Sequence, residues 1–204
     1  MCIRDRVNMV KFLKSKLSAV LMVVLLSAIG LSLAGCGKES LDDEFIFGKN
    51  RVHCENSTIT LSTPFEIISE GKQVDLVGRG EEKVSAEGHN EHLQILVTGN
   101  QVSSDENEEK LVKEAPAILQ NNPSVSRLKV ENKTFSLGDT KANVLNFTFA
   151  ETDKSRTTDL SVREYIFTYQ GVVWRVIYQY RTDDATGKAL ADRVEGKISM
   201  GTSF

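Results

Sequence analysis

The chain predicts an α+β fold, a mainly antiparallel β-sheet flanked by two helices in an α/β/α sandwich. Three observations carry the expectation. From Ala142 on, apolar residues alternate with polar ones in two long stretches joined by tight-turn residues, as half-buried strands require. Leu111, Val112, Ala115, Ile118 and Leu119 fall at i, i+1, i+4, i+7 and i+8, the buried stripe of an amphipathic helix. Leu190, Val194 and Ile198 recur at steps of four, which predicts a second helix near the C-terminus.

The strands read most clearly in the second half. In "ANVLNFTFA", Leu145, Phe147 and Phe149 share one face and Val144, Asn146 and Thr148 the other, because strand side chains alternate. "VREYIFTY", Gln170-Gly171 and "VVWRVIYQY" form a hairpin. If Tyr169 faces Val172, the same register sets Phe167 against Trp174 and Tyr165 against Val176, and that aromatic face must be buried. The opposite face holds Glu164, Ile166, Val173, Arg175 and Ile177, with Glu164 diagonal to Arg175. Being only partly apolar, it is expected to be covered at one end and wet at the other.

Earlier elements are shorter. Ile59-Thr60-Leu61 alternates ahead of Pro64, and Val74–Gly78 and Leu93–Val97 read as further strands. The polar, glycine-bearing segment between them is expected to be an exposed hairpin or loop, with Val84 a nucleus for a short strand. In the first helix Ser104 is the expected cap. Pro116 lies inside it, and an interior proline costs ~3 kcal/mol or kinks the helix, so a break near Glu114 is expected. Thr182 or Asp183 caps the second helix, Gly187 and Gly196 weaken it, and "SMGTSF" closes the chain as a short strand or tail.

The N-terminal segment speaks to location. Leu17–Leu33 holds no charge and no proline and follows Lys11, Lys14 and Lys16, the n-region and h-region of a secretory signal. A transmembrane helix needs about 20 predominantly apolar residues, and this run is slightly short. Leu33-Ala34-Gly35-Cys36 at its end resembles the lipobox of bacterial lipoproteins. The resemblance implies that residues 9–35 are a signal peptide cut before Cys36, whose thiol carries diacylglycerol. Each buried methylene contributes ~0.8 kcal/mol, and stable anchoring takes more than one acyl chain. The opening "MCIRDRVN" resembles translated sequencing adapter, so residues 1–8 are set apart as a non-native extension. The polar, acidic residues 36–44 are expected to be a tether without fixed structure, and residues 45–204 a single globular domain.

Composition narrows the function. Residues 1–35 hold five of the 25 Lys and Arg and one of the 28 Asp and Glu, leaving 20 basic against 27 acidic residues and a formal charge of −7. Such a domain is a poor fit to nucleic acid. With Cys36 acylated, Cys54 is the one thiol left after residue 36, and a buried structural role is preferred for it over a reactive one.

The order of elements resembles the PsbP/DcrB-like family of small exported or lipidated α/β/α domains. The resemblance rests on "SVSRLKVENKTFSLGDTKANVLNFTF", the "YIFTYQGVVWRVIYQY" hairpin and the late helix before "ISMGTSF", and it covers roughly Ile59 to Phe204. It implies binding or assembly at the cell envelope, with an envelope protein or complex as partner and no cofactor, far more than catalysis. Fold alone does not fix function.

Motifs for chemistry are few. "EGHNEH" offers His89, Glu91 and His92 as weak metal candidates, since imidazole and carboxylate are ordinary ligands. Helical zinc motifs space histidines by four, however, and on a strand His89 and His92 point oppositely, so a solvated loop is the preferred reading. No G-x-S-x-G elbow is present, and Cys54 beside His53 is adjacency in sequence only. Asp183-Asp184 and Glu81-Glu82 read as solvated surface, and Gly78-Arg79-Gly80 lacks the Gly-Lys-Ser/Thr end of a phosphate loop. The leading expectation is a lipid-anchored, non-catalytic binding or assembly protein, with a small-molecule- or metal-binding lipoprotein as the alternative.

Overall fold

The structure, a computed structural model, describes residues 40–69, 73–76 and 80–201, with backbone alone at 73–76 and 80–83. Cys36, the signal segment, the first eight residues and Gly78-Arg79 lie outside the described residues. In chain order the elements are α1 (Leu41–Glu44), β1 (Gly48–Cys54), β2 (Ser57–Thr63), β3 (Gln73–Leu76), β4 (Gly80–Lys83), β5 (Ala86–His89) and β6 (Gln94–Gln101). There follow α2 (Glu108–Asn121), β7 (Val125–Leu137), β8 (Thr140–Asp153), β9 (Arg156–Tyr169), β10 (Val172–Arg181), α3 (Ala185–Val194) and β11 (Ile198–Met200).

Two-residue turns build the central sheet. Gly138-Asp139, Lys154-Ser155 and Gln170-Gly171 join β7 to β10 as an antiparallel meander. At the last of these both turn residues have positive φ, 49° and 76°, the backbone a two-residue hairpin demands. With β5 and β6 added, the six strands stand in the order β5-β6-β10-β9-β8-β7. β1, β2 and β11 form a second, three-stranded sheet, and β3 pairs with β4. The hairpin register is the expected one, with Phe167 opposite Trp174 and Tyr165 opposite Val176.

The two faces of the large sheet make two cores, as period two dictates. Tyr165, Phe167, Trp174, Val144 and Val97 pack against Ile59 and Leu61 of the small sheet and Leu190 and Val194 of α3. Leu145, Phe147, Ile166, Val173 and Ile177 pack against Ala115 and Leu119 of α2. Helices therefore flank both faces, and the α+β sandwich stands.

The face under α2 is more completely covered than its composition suggests. Glu164 is 0% and Arg175 6% exposed, and the Arg175 Nε donates to Glu164 Oε1 at 2.7 Å. A buried ion pair with good geometry removes the need for water that the half-wet expectation assumed.

Helix boundaries also depart from expectation. α2 runs unbroken through Pro116: one backbone hydrogen bond is forgone, while buried Ala115 and Leu119 clamp the helix on either side. Asn107, not Ser104, is its cap and accepts from the Lys110 amide, and Ile118 of the expected stripe is 44% exposed. Asp184, not Thr182 or Asp183, caps α3, its side chain accepting from the Gly187 amide at 2.9 Å. α3 stops at Val194 because Gly196 turns left-handed at φ 69°, and Ile198 belongs to β11.

Two segments read as irregular are ordered. The stretch before Leu93 contains β4 and β5, with Val84 and Ala86 each 1% exposed; small residues let β5 lie against β6 although the segment is polar. Within the expected tether, Leu41–Glu44 is a helical turn. Leu41 and Phe45 pack on the core and Asp42 accepts from Arg193 at 3.1 Å, so the compact unit starts at Leu41.

Candidate functional site

The turn between β1 and β2 is bolted to the hairpin by a buried polar chain. Trp174 Nε1 donates to Ser57 Oγ at 3.0 Å, and Ser57 Oγ donates to the Tyr169 carbonyl at 3.0 Å. Beside it the Cys54 thiol donates to the Gly99 carbonyl at 3.0 Å, while the Gly99 amide donates to Ser85 Oγ at 3.0 Å. Glycine is required at 99, since a Cβ there would lie 2.9 Å from both Cys54 Cβ and the Trp174 ring.

This arrangement leaves a cleft of about 450 Å³ lined by His53, Cys54, Glu55, Ser69, Ser85 and Asn100, among others. Its chemistry is that of neutral hydrogen-bonding groups with one carboxylate and one imidazole. Cys54 is half-buried, neither sealed in the core as preferred nor activated. Burial, then the neighbouring Glu55 charge, pushes its thiol up, so the thiolate needed for nucleophilic attack is disfavoured. His53 shares a hydrogen bond with Thr58 at 2.8 Å. A second cleft, of about 420 Å³, lies by the β7–β8 turn, between Gly138, Tyr169 and Met200.

His89, Glu91 and His92 do not converge. His89 is exposed at the end of β5. Asn90 turns the chain by accepting from the amides of His92 and Leu93, which sends His92 inward. There its Nδ1 meets Asp184 Oδ2 at 2.9 Å and its Nε2 lies 3.4 Å from Glu91. Asp184, expected on the solvated surface, caps α3 instead. Burial opposes its ionisation, but the Gly187 amide and His92 outweigh that and hold its carboxyl below the ordinary range. Among the described residues no group of three His, Cys, Asp or Glu is arranged to hold a metal ion.

A polar cluster at the end of α3 escaped sequence reasoning altogether. Glu195 accepts from Tyr165 Oη at 2.9 Å, Arg163 Nη1 at 2.8 Å and Lys133 Nζ at 3.2 Å. Arg163 also reaches Asp192 and lies over the Tyr180 ring. Burial opposes ionisation of Glu195, but these donors and charges together hold its carboxyl low. Burial, then Glu195, drives the Tyr165 phenol strongly up. The only sequence signal was alternation itself, which puts Arg163 and Tyr165 on one face.

No family model matches the chain, and no curated protein matches it. Solved structures do. Cyanobacterial PsbP from Synechocystis sp. aligns with a TM-score of 0.51 and 13% identity, covering 82% of this chain and 98% of that one. LpqN of Mycobacterium tuberculosis, described as involved in cell envelope biogenesis, aligns with a TM-score of 0.49 and 14% identity over 81% of this chain and 100% of that one. The likeness to PsbP shows the fold expected from the sequence.

Proposed function

We propose that this chain is a lipid-anchored, extracytoplasmic protein of the bacterial cell envelope that acts by binding or assembly and not by catalysis. The observation that carries the reading is Leu33-Ala34-Gly35-Cys36 directly behind a charge-free apolar run with lysines ahead of it. Acyl chains on Cys36 hold the protein at a membrane, and only four residues separate Cys36 from α1. Confinement raises the effective concentration toward any envelope protein or complex beside it, so a weak contact suffices.

The chemistry of the domain supports binding over catalysis. The Cys54 thiol is a committed donor held in its neutral form, His92 is taken up by Asp184, and Arg175 is taken up by Glu164. Each of these groups holds the fold. Membrane fractionation with palmitate labelling tests the anchor: Cys36→Ser is expected to abolish labelling and either block processing or release the protein. Normal processing and unchanged membrane retention of Cys36→Ser would overturn the reading.

The Cys54 cleft favours a second reading, a lipoprotein that binds a small polar molecule. Its volume falls in the range of ligand pockets, ~300–1,000 Å³. A small molecule retained through purification and detected by native mass spectrometry would put that reading first.

A further inference from the structure

The large sheet treats its two edges differently. β5, only four residues long, is closed off by Ile68, which exchanges both backbone hydrogen bonds with Glu87 at 2.8 and 3.0 Å. β7, at the other edge, is 13 residues long, and among the described residues no strand pairs with its outer side. Unpaired edges template further strands unless they are short, bulged or charged. Here a register shift between Ser126 and Lys129, with Arg127 at φ 56°, blunts the start, and beyond it the charges alternate in sign, Lys129, Glu131 and Lys133, which bars a like-charged strand but complements an antiparallel copy.

Register fixes which groups are free. The Gly138-Asp139 turn is closed by Leu137 and Thr140, and the pair that closes a two-residue hairpin is hydrogen-bonded. Odd-numbered residues from Lys129 to Leu137 therefore bond β8, and the amides and carbonyls of Val130, Asn132, Thr134 and Ser136 point outward. Residues 129–134 are exposed, Val130 among them at 39%.

We propose that this edge pairs with the β7 of a second copy of the chain, antiparallel and in register about Asn132, to give a continuous twelve-stranded sheet. Self-pairing about Asn132 sets Glu131 against Lys133 twice and Val130 against Thr134, with no like charges opposed. Registers centred on Glu131 or Lys133 each oppose like charges, which destabilises a strand pair, and one centred on Val130 runs into the irregularity before Lys129 after a single residue on either side. A register centred on Thr134 opposes none but pairs no charges. Lys133 already contacts Glu195 at 3.2 Å, which fixes its side chain on the face where the partner copy's Glu131 arrives. Val130 would lose its exposure against the methyl of Thr134.

Disulfide trapping in membranes of a bacterium expressing the full chain tests the register. Hydrogen-bonded partners stand about 5.5 Å apart at Cα, within the ~4.4–6.8 Å that a disulfide spans. Asn132→Cys is expected to form a covalent homodimer on mild oxidation, while the unsubstituted chain does not. Val130→Cys alone is expected to stay monomeric, because its two copies would lie about 13 Å apart along the strands. Co-expressed with Thr134→Cys, it should cross-link. Adding Glu131→Lys to Asn132→Cys should lower the dimer yield about tenfold, since two attractive pairs become repulsive. The proposal is overturned if Asn132→Cys stays monomeric or couples to a different protein. Equal cross-linking by Val130→Cys alone, or indifference to Glu131→Lys, would overturn it too. All these positions are exposed, so the variants keep the fold.

Discussion

Replacing Trp174 by alanine attacks the joint between the two sheets. The indole is 0% exposed and packs beside Gly99, and its Nε1–H is the donor to Ser57 Oγ. Truncating a buried Trp to Ala costs ~3–5 kcal/mol, cavity included, a large share of a stability of about 5–15 kcal/mol. Trp174→Phe keeps most of the apolar volume and loses mainly the Ser57 bond, worth about 1 kcal/mol net, so it should cost much less. Gly99→Ala approaches the same place from the opposite side. Its new Cβ would press on the Trp174 ring and Cys54 at 2.9 Å, an overpacking cost of ~1–3 kcal/mol that should shrink once Trp174 is already alanine. Urea denaturation of the domain from Leu41 onward measures the unsubstituted domain, the three single variants and the Gly99→Ala/Trp174→Ala double variant, and the coupling between sites 99 and 174 follows from the double-mutant cycle. A loss below ~1 kcal/mol for Trp174→Ala, or strict additivity with Gly99→Ala, would refute the packing argument.

Two further outcomes follow from the α3 side. The carboxyl of Glu195 is held below its ordinary value, so its stabilisation is complete above the unfolded-state value of ~4.3 and is lost as pH falls through the lower folded value. Glu195→Gln should therefore flatten the acid limb of a stability-against-pH curve without erasing it, because Asp192 and Asp184 are depressed in the same sense; an unchanged limb would contradict the network. Gly187→Ala should lower the Tm although alanine is the better helix former by up to ~1 kcal/mol, since a Cβ there would lie 2.5 Å from the His92 carbonyl oxygen. A raised Tm would contradict that contact.

What could be read from the sequence divides along physical lines. The β9–β10 hairpin was legible to the residue because alternation and a Gln-Gly turn leave one register that buries Trp174, Phe167 and Tyr165 together. Capping residues were misjudged because Ser104, Asn107, Thr182, Asp183 and Asp184 all have side chains able to cap, and only tertiary contacts choose among them. Asp184 is chosen by His92, and no periodicity links residues 92 apart in sequence. β4 and β5 are not legible because Glu, Lys, Gly and Ala carry little strand propensity, and it is pairing with β3 and β6 that makes them strands. Glu195 was invisible for the same reason, its donors coming from β7 and β9. Of the candidate metal ligands, His92 turns inward to Asp184, a contact that no spacing rule indicates.

Attachment to a membrane through Cys36 is decided by intact mass spectrometry of the protein extracted from bacterial membranes. A chain that begins at Cys36 and carries the added mass of a diacylglyceryl group, with or without a further acyl chain on its amino group, is expected. An extracted chain that retains the residues before Cys36, or that begins at Cys36 with no lipid mass, would contradict it.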